Sequence, residues 1–149
     1  MKTKIMYIEH KGGNLTEGAR IGKVTFSKSG KSIHYNGKTF QTLNGRGFKA
    51  NYFDTETGEH YWISGCKKDG SDRLYGERLP IYIDEDIREE YWNEIRNLPS
   101  CKEIKIINEH VEGFLRSFPI RRNSEQRPQF PRTGRELQRI FSFQSLYTK

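Results

Sequence analysis

The run Lys49-Ala50-Asn51-Tyr52-Phe53-Asp54-Thr55-Glu56-Thr57-Gly58-Glu59-His60-Tyr61-Trp62-Ile63-Ser64 decides how this chain is read. Its two halves are rich in aromatic residues and flank Thr55-Glu56-Thr57-Gly58, where the glycine suits the left-handed position of a short hairpin loop. Residues 49–54 and 59–64 are therefore expected to pair as antiparallel strands. Alternation sends Tyr52 and Phe53 to opposite faces, and Tyr61 and Trp62 likewise, so one set fills a core. The following loop, residues 65–76, carries glycines at both ends and at Gly70, with Lys67 and Lys68 ahead of Asp69, Asp72 and Arg73. It is the one long irregular segment in an otherwise compact pattern. A site is expected where hairpin and loop meet.

Upstream, the same strand-and-turn pattern holds. Ile5, Tyr7 and Glu9 alternate with Met6, Ile8 and His10, which marks a first strand. A glycine-rich loop at 11–18 leads to a second strand at 20–27. Lys28-Ser29-Gly30-Lys31 turns the chain into a third, with Ile33 and Tyr35. Asn36-Gly37 is the strongest hairpin signal in the sequence, since a type I′ turn needs positive φ at both central residues. It returns the chain as a fourth strand, 38–43, and Asn44-Gly45-Arg46-Gly47 links that strand to the opening hairpin. Strands at this spacing predict a mainly β (α+β) fold: a small SH3-like or OB-like barrel of about six strands. Closure also removes exposed strand edges.

Downstream, Leu79-Pro80-Ile81-Tyr82-Ile83 reads as a short edge strand. Asp86 followed by Glu89 fits a capping box, and Ile87, Tyr91, Ile95 and Leu98 form one apolar helical face, widened by Trp92 and ended by Pro99. This helix is expected to cap the barrel. Ile104, Ile107, Val111, Phe114, Leu115 and Phe118 favour a helix over a strand beginning near Lys102. Residues 119–134, rich in proline and arginine, read as a linker. Thr133 and Glu136 precede Leu137, Ile140 and Phe141 as a short terminal helix. The expected organisation is a barrel domain with its capping helix at 1–98 and a basic, partly helical extension at 99–149.

With 33% hydrophobic and 30% charged residues, the core must be small, and the 19 aromatic residues compensate by burying large areas each. No run approaches the roughly 20 apolar residues of a membrane span, and the first ten residues lack a signal peptide's apolar stretch. A cytoplasmic location is expected, with Cys66 and Cys101 as free thiols, because neither sits in a CxxC pair or at zinc-ligand spacing from a histidine. The net charge of +7 is uneven. Residues 1–53 hold ten Lys/Arg against two acids, residues 54–98 six against twelve, and residues 99–149 ten against five. A basic first half of this kind attracts phosphates.

The chain has no GxSxG, HExxH, P-loop or Rossmann pattern. His60 with Asp69 or Asp72 is the one combination suited to acid–base chemistry on a phosphodiester. Asp84, Glu85 and Asp86 have the oxygens a hard cation takes, but they better suit the N-terminus of the following helix, where negative charge is favoured. No cofactor or metal is expected. Nucleic-acid binding has more to draw on, since small barrels stack bases on exposed aromatics while basic side chains hold the phosphates. The aromatic candidates are Tyr35, Phe40, Phe48, Tyr52, Tyr61 and Trp62. The phosphate candidates are Lys23, Lys28, Lys31, Lys38, Arg46 and Lys49, joined by Lys67, Lys68 and Arg73 from the loop, whose glycines also suit an anion nest.

The runs Ala19-Arg20-Ile21-Gly22-Lys23-Val24-Thr25-Phe26-Ser27-Lys28, Phe48-Lys49-Ala50-Asn51-Tyr52-Phe53-Asp54, Tyr61-Trp62-Ile63-Ser64-Gly65 and Lys67-Lys68-Asp69-Gly70 resemble a family of small uncharacterised bacterial proteins. The resemblance covers residues 1–98. It implies a compact stand-alone bacterial domain and brings no activity with it. Members sometimes bear a deoxyxylulose-phosphate synthase label. This chain is far too short for a thiamine-diphosphate enzyme and lacks an acidic metal–diphosphate motif.

The leading expectation is a non-enzymatic barrel that binds RNA or single-stranded DNA. The alternatives are a protein-interaction module of the antitoxin, immunity or defence-linked kind, and a small phosphodiester hydrolase. No membrane partner is expected.

Overall fold

The computed structural model describes residues 1–12, 18–47, 49–73 and 79–117. Eight strands lie among them: β1 (Thr3–His10), β2 (Ala19–Phe26), β3 (Ser32–Tyr35), β4 (Lys38–Thr42), β5 (Tyr52–Asp54), β6 (His60–Gly65), β7 (Ile81–Ile83) and β8 (Ile106–Ile107). The first six follow one another around a closed antiparallel barrel, because β1 pairs with both β2 and β6. The small barrel expected from the turn spacing is present. Its β3–β4 turn has the anticipated left-handed pair, Asn36 at φ 50° and Gly37 at φ 76°. The opening hairpin is also present, with Tyr52 opposite Tyr61 and Phe53 opposite His60. Its first strand is shorter than the alternation suggests, starting at Tyr52 rather than Lys49.

Strand β1 is buried on both faces, so the chain builds two cores. Met6 and Ile8 point into the barrel with Val24, Ile33, Phe40, Tyr61 and Ile63. Ile5 and Tyr7 point outward into a larger cluster with Ile21, Ile81, Ile83, Ile87, Tyr91 and Trp92. A helical segment covers this outer face. It consists of a 3-10 turn (Glu85–Ile87), one α-helical turn (Arg88–Glu90, α1) and a π-helical turn (Tyr91–Ile95). Widening the last turn lets two consecutive large side chains, Tyr91 and Trp92, both face inward with no exposed area. The Trp92 indole donates to the Ile104 carbonyl at 2.9 Å. Asn97, left-handed at φ 52°, ends the segment ahead of Pro99.

Two local expectations are corrected. The Asp86–Glu89 capping box is absent: Asp86 lies inside the 3-10 turn, and the residues at the two N-caps, Asp84 and Ile87, make no side-chain cap bond. Asp84 instead accepts from Tyr35 and Arg20 across the sheet. The helix expected from Ile104 begins only at α2 (Glu109–Arg116), where the Asn108 side chain accepts from the Val111 amide at 2.9 Å. Ile106 and Ile107 are spent as β8 because β7 needs a partner on its free edge, and both side chains are buried there. Cys101, Ile104, Ile107, Val111 and Leu115 all belong to the outer core, so the chain after residue 98 helps to build it. The expected linker and terminal helix after Phe118 lie outside the described residues.

Strand β2 divides its outer edge. Its last two residues pair with β3 through Thr25–His34 and Phe26–Ile33, while Ala19–Ile21 pair in parallel with β7. Tyr35 crosses the fork. Its ring lies so close over Gly22 that a Cβ there would come within 2.4 Å, and its hydroxyl donates to Asp84 at 2.6 Å.

Candidate nucleic-acid interface

Antiparallel alternation sorts the connections of the barrel between two ends. The N-terminus, the β2–β3 turn, the β4–β5 loop and the loop leaving β6 lie at one end. These segments carry Lys2, Lys4, Lys28, Lys31, Arg46, Lys49, Lys67 and Lys68, all exposed. Among the described residues of these segments the acids are Asp69 and Asp72. The other end holds Glu9, Asp54, Glu56, Glu59 and Asp84 beside Lys11, Arg20 and Lys38. Among the described residues the barrel thus has a positive end and a mixed end, each drawing on more than one of the sequence's charge blocks. Phe26, the last residue of β2, and Tyr52, the first of β5, are half-buried at the positive end and rest on the barrel core.

Six of the nine expected phosphate contacts share this end: Lys28, Lys31, Arg46, Lys49, Lys67 and Lys68. The remaining three lie elsewhere. Lys23 is on the barrel wall, its Nζ 3.3 Å from Glu90. Lys38 is at the opposite mouth and donates to the Tyr61 hydroxyl at 3.1 Å. Arg73 is half-buried, with one guanidinium nitrogen on Glu112 at 2.5 Å and another on the Leu79 carbonyl, so it ties the loop to α2. Of the aromatic candidates, Phe40 and Tyr61 fill the barrel, packed edge to face at 4.7 Å. Tyr35 spans the β2–β3 fork, and Trp62 lies half-buried against the outer core. Phe48 is outside the described residues. Lys2, Lys4 and Phe26 were missed, because only the pairing of β1 and β2 brings the N-terminus beside the other loops.

The loop after β6 is built from its own polar groups. Asp72, 3% exposed, accepts from the Lys67 amide at 2.6 Å. Asp69 accepts from the Ser71 amide and hydroxyl at 2.9 and 2.6 Å, which holds its carboxyl below the usual range. Gly70 is left-handed at φ 76°, and a Cβ there would meet the Arg96 guanidinium at 2.4 Å. Arg96 donates to the Lys68 carbonyl at 3.1 Å and stacks over Trp92 at 5.4 Å. The face of the loop that packs inward thus grips a cation of the protein itself, which turns Lys67 and Lys68 to solvent. Burial pushes the Cys66 thiol up to about 12, so it stays protonated at neutral pH.

His60 begins β6 and the loop with Asp69 and Asp72 follows its end. The length of the strand, roughly 17 Å at 3.4 Å per residue, separates them. The structure does not assemble that acid–base group. Among the described residues no cluster of three or more His, Cys, Asp or Glu is arranged to hold a metal ion. No described helix is long and apolar enough to cross a membrane. No protein-family model, curated protein or solved structure matches the chain.

Proposed function

We propose that the protein is a non-enzymatic barrel that binds single-stranded nucleic acid, RNA above all, at its positive end. The observation that carries this reading is the gathering of eight exposed Lys and Arg residues from four separate segments at one end of the barrel. Such a cluster neutralises phosphates and releases their counterions. Phe26 and Tyr52, half-buried at the same end, supply ring surface for sequence-tolerant stacking. Both rings sit on strands of a closed barrel, which lowers the ordering cost of binding.

The test is the salt dependence of binding to a labelled single-stranded RNA. Lys28, Lys31, Lys67 and Lys68 are replaced together by alanine. Each single-strand phosphate contact contributes about 0.7 to the slope of log K against log salt, so four lost contacts flatten it by about 3. Unchanged affinity and slope would remove the positive end as the binding face.

A further inference from the structure

A cavity of 380 Å³ opens at the barrel mouth opposite the basic end. Its floor is the interior side of Ile8 and Phe40, and its walls include Tyr35, Tyr61 and Tyr82. Arg20 and Lys38 stand at the rim, each with nearly half of its side chain exposed. The forked pairing of β2 explains why the cavity exists. Above Thr25 the β2–β3 ladder stops, and side chains rather than backbone close the wall.

We propose that this mouth is a binding site for a small planar aromatic carboxylate. The volume falls at the lower end of small-ligand pockets, and barrel mouths are a common place for them. An apolar floor between tyrosine rings suits a flat hydrophobic ring. The rim supplies the anion contact. Arg20 is held in place before any ligand arrives, with Nε donating to the Tyr35 hydroxyl at 3.1 Å and a terminal nitrogen to Asp84 at 2.7 Å. A guanidinium so oriented presents its remaining edge as a planar fork, which matches a carboxylate. The Lys38 ammonium has three donors and gives one to the Tyr61 hydroxyl. Its nearest carboxylate, Asp54, is buried and stands 4.0 Å off. Asp54 and Asp84 balance the two rim cations, which favours a single negative charge on the ligand over a polyanion.

This site is separate from the basic end, and the experiment keeps the two apart. The ¹⁵N-labelled full chain is titrated with 2-naphthoate and, in parallel, with the neutral 2-naphthalenemethanol. Amide shifts are expected at Ile8, Arg20, Lys38 and Tyr61, with naphthoate at least about tenfold tighter than the alcohol because only it engages the fork. Lys38→Met should weaken naphthoate by a similar factor and leave the alcohol unchanged. The four-lysine variant at the other end should bind naphthoate as the parent does, whether or not RNA binding survives. Shifts absent at millimolar ligand, shifts confined to other surfaces, or equal affinity for acid and alcohol would each overturn the proposal.

Discussion

Asn51 and Asp72 show how single polar side chains shape this barrel. The Asn51 amide donates to the Ile63 carbonyl at 2.7 Å and accepts from the Ile63 amide at 2.8 Å. It thus imitates a strand residue where β5 has not yet begun. Asp72 has one oxygen satisfied by the Lys67 amide and the other without a hydrogen-bond partner. Its burial raises the pKa above the ordinary aspartate value. The folded chain therefore keeps this proton to higher pH than the unfolded chain. Stability falls as pH rises from about 4, the unfolded value, through the raised folded one. Asp72→Asn retains the oxygen that faces Lys67 and removes the charge. The variant should match or exceed the parent in stability at pH 7 and show a flatter decline above pH ~4, read from urea midpoints across that window.

The element that sets the outer core is the helical segment from Glu85 to Ile95. Its apolar face was readable: Ile87, Tyr91, Ile95 and Leu98 all meet the cluster as their spacing requires. Its start was misread: Asp86 and Glu89 have capping-box spacing, but Asp86 lies inside a 3-10 turn, and Asp84 ahead of it is drawn to Arg20 and Tyr35 at the fork in β2. Tyr91 is fully buried and packs against Trp92 at 5.0 Å. Tyr91→Ala should cost about 3 kcal/mol or more, measured by chemical denaturation, since the cavity lies under a widened turn that collapses poorly. Strands β7 and β8 show the opposite kind of legibility. The apolar run at Ile81–Ile83 is visible as a strand, but its parallel pairing with β2 depends on a gap that β3 is too short to fill.

For the molecule as a whole, two cores share strands β1 and β2, and the outer one is completed late in the chain. Cys101, Ile104, Ile107, Val111 and Leu115 lie in it with Ile5, Tyr7 and Ile21. Residues 1–98 expressed alone should therefore lose cooperative unfolding and expose apolar surface, whereas residues 1–117 should retain both cores. Dye binding and thermal melts on the two fragments distinguish these outcomes. The composition break near Pro99 marked a change in charge and in predicted periodicity. A shared core leaves no such mark, because burial joins residues that are far apart in sequence.

Local chemistry by itself determined the turns, the alternation and hence the small barrel. Asn36-Gly37 needs left-handed backbone, and strand periodicity needs no distant partner to be read. It also required that one of the two alternating sets of hairpin aromatics fill a core. Only the tertiary structure decided which set. Closure of β6 onto β1 puts Tyr61 and Phe40 inside and leaves Trp62 against the outer core. Closure also decided which basic residues are neighbours. Lys2, Lys28, Arg46 and Lys67 are scattered along the chain, and antiparallel alternation brings their segments to one end. A single sequence specifies the period of a strand, but the register and partners of a barrel follow from packing all its strands at once.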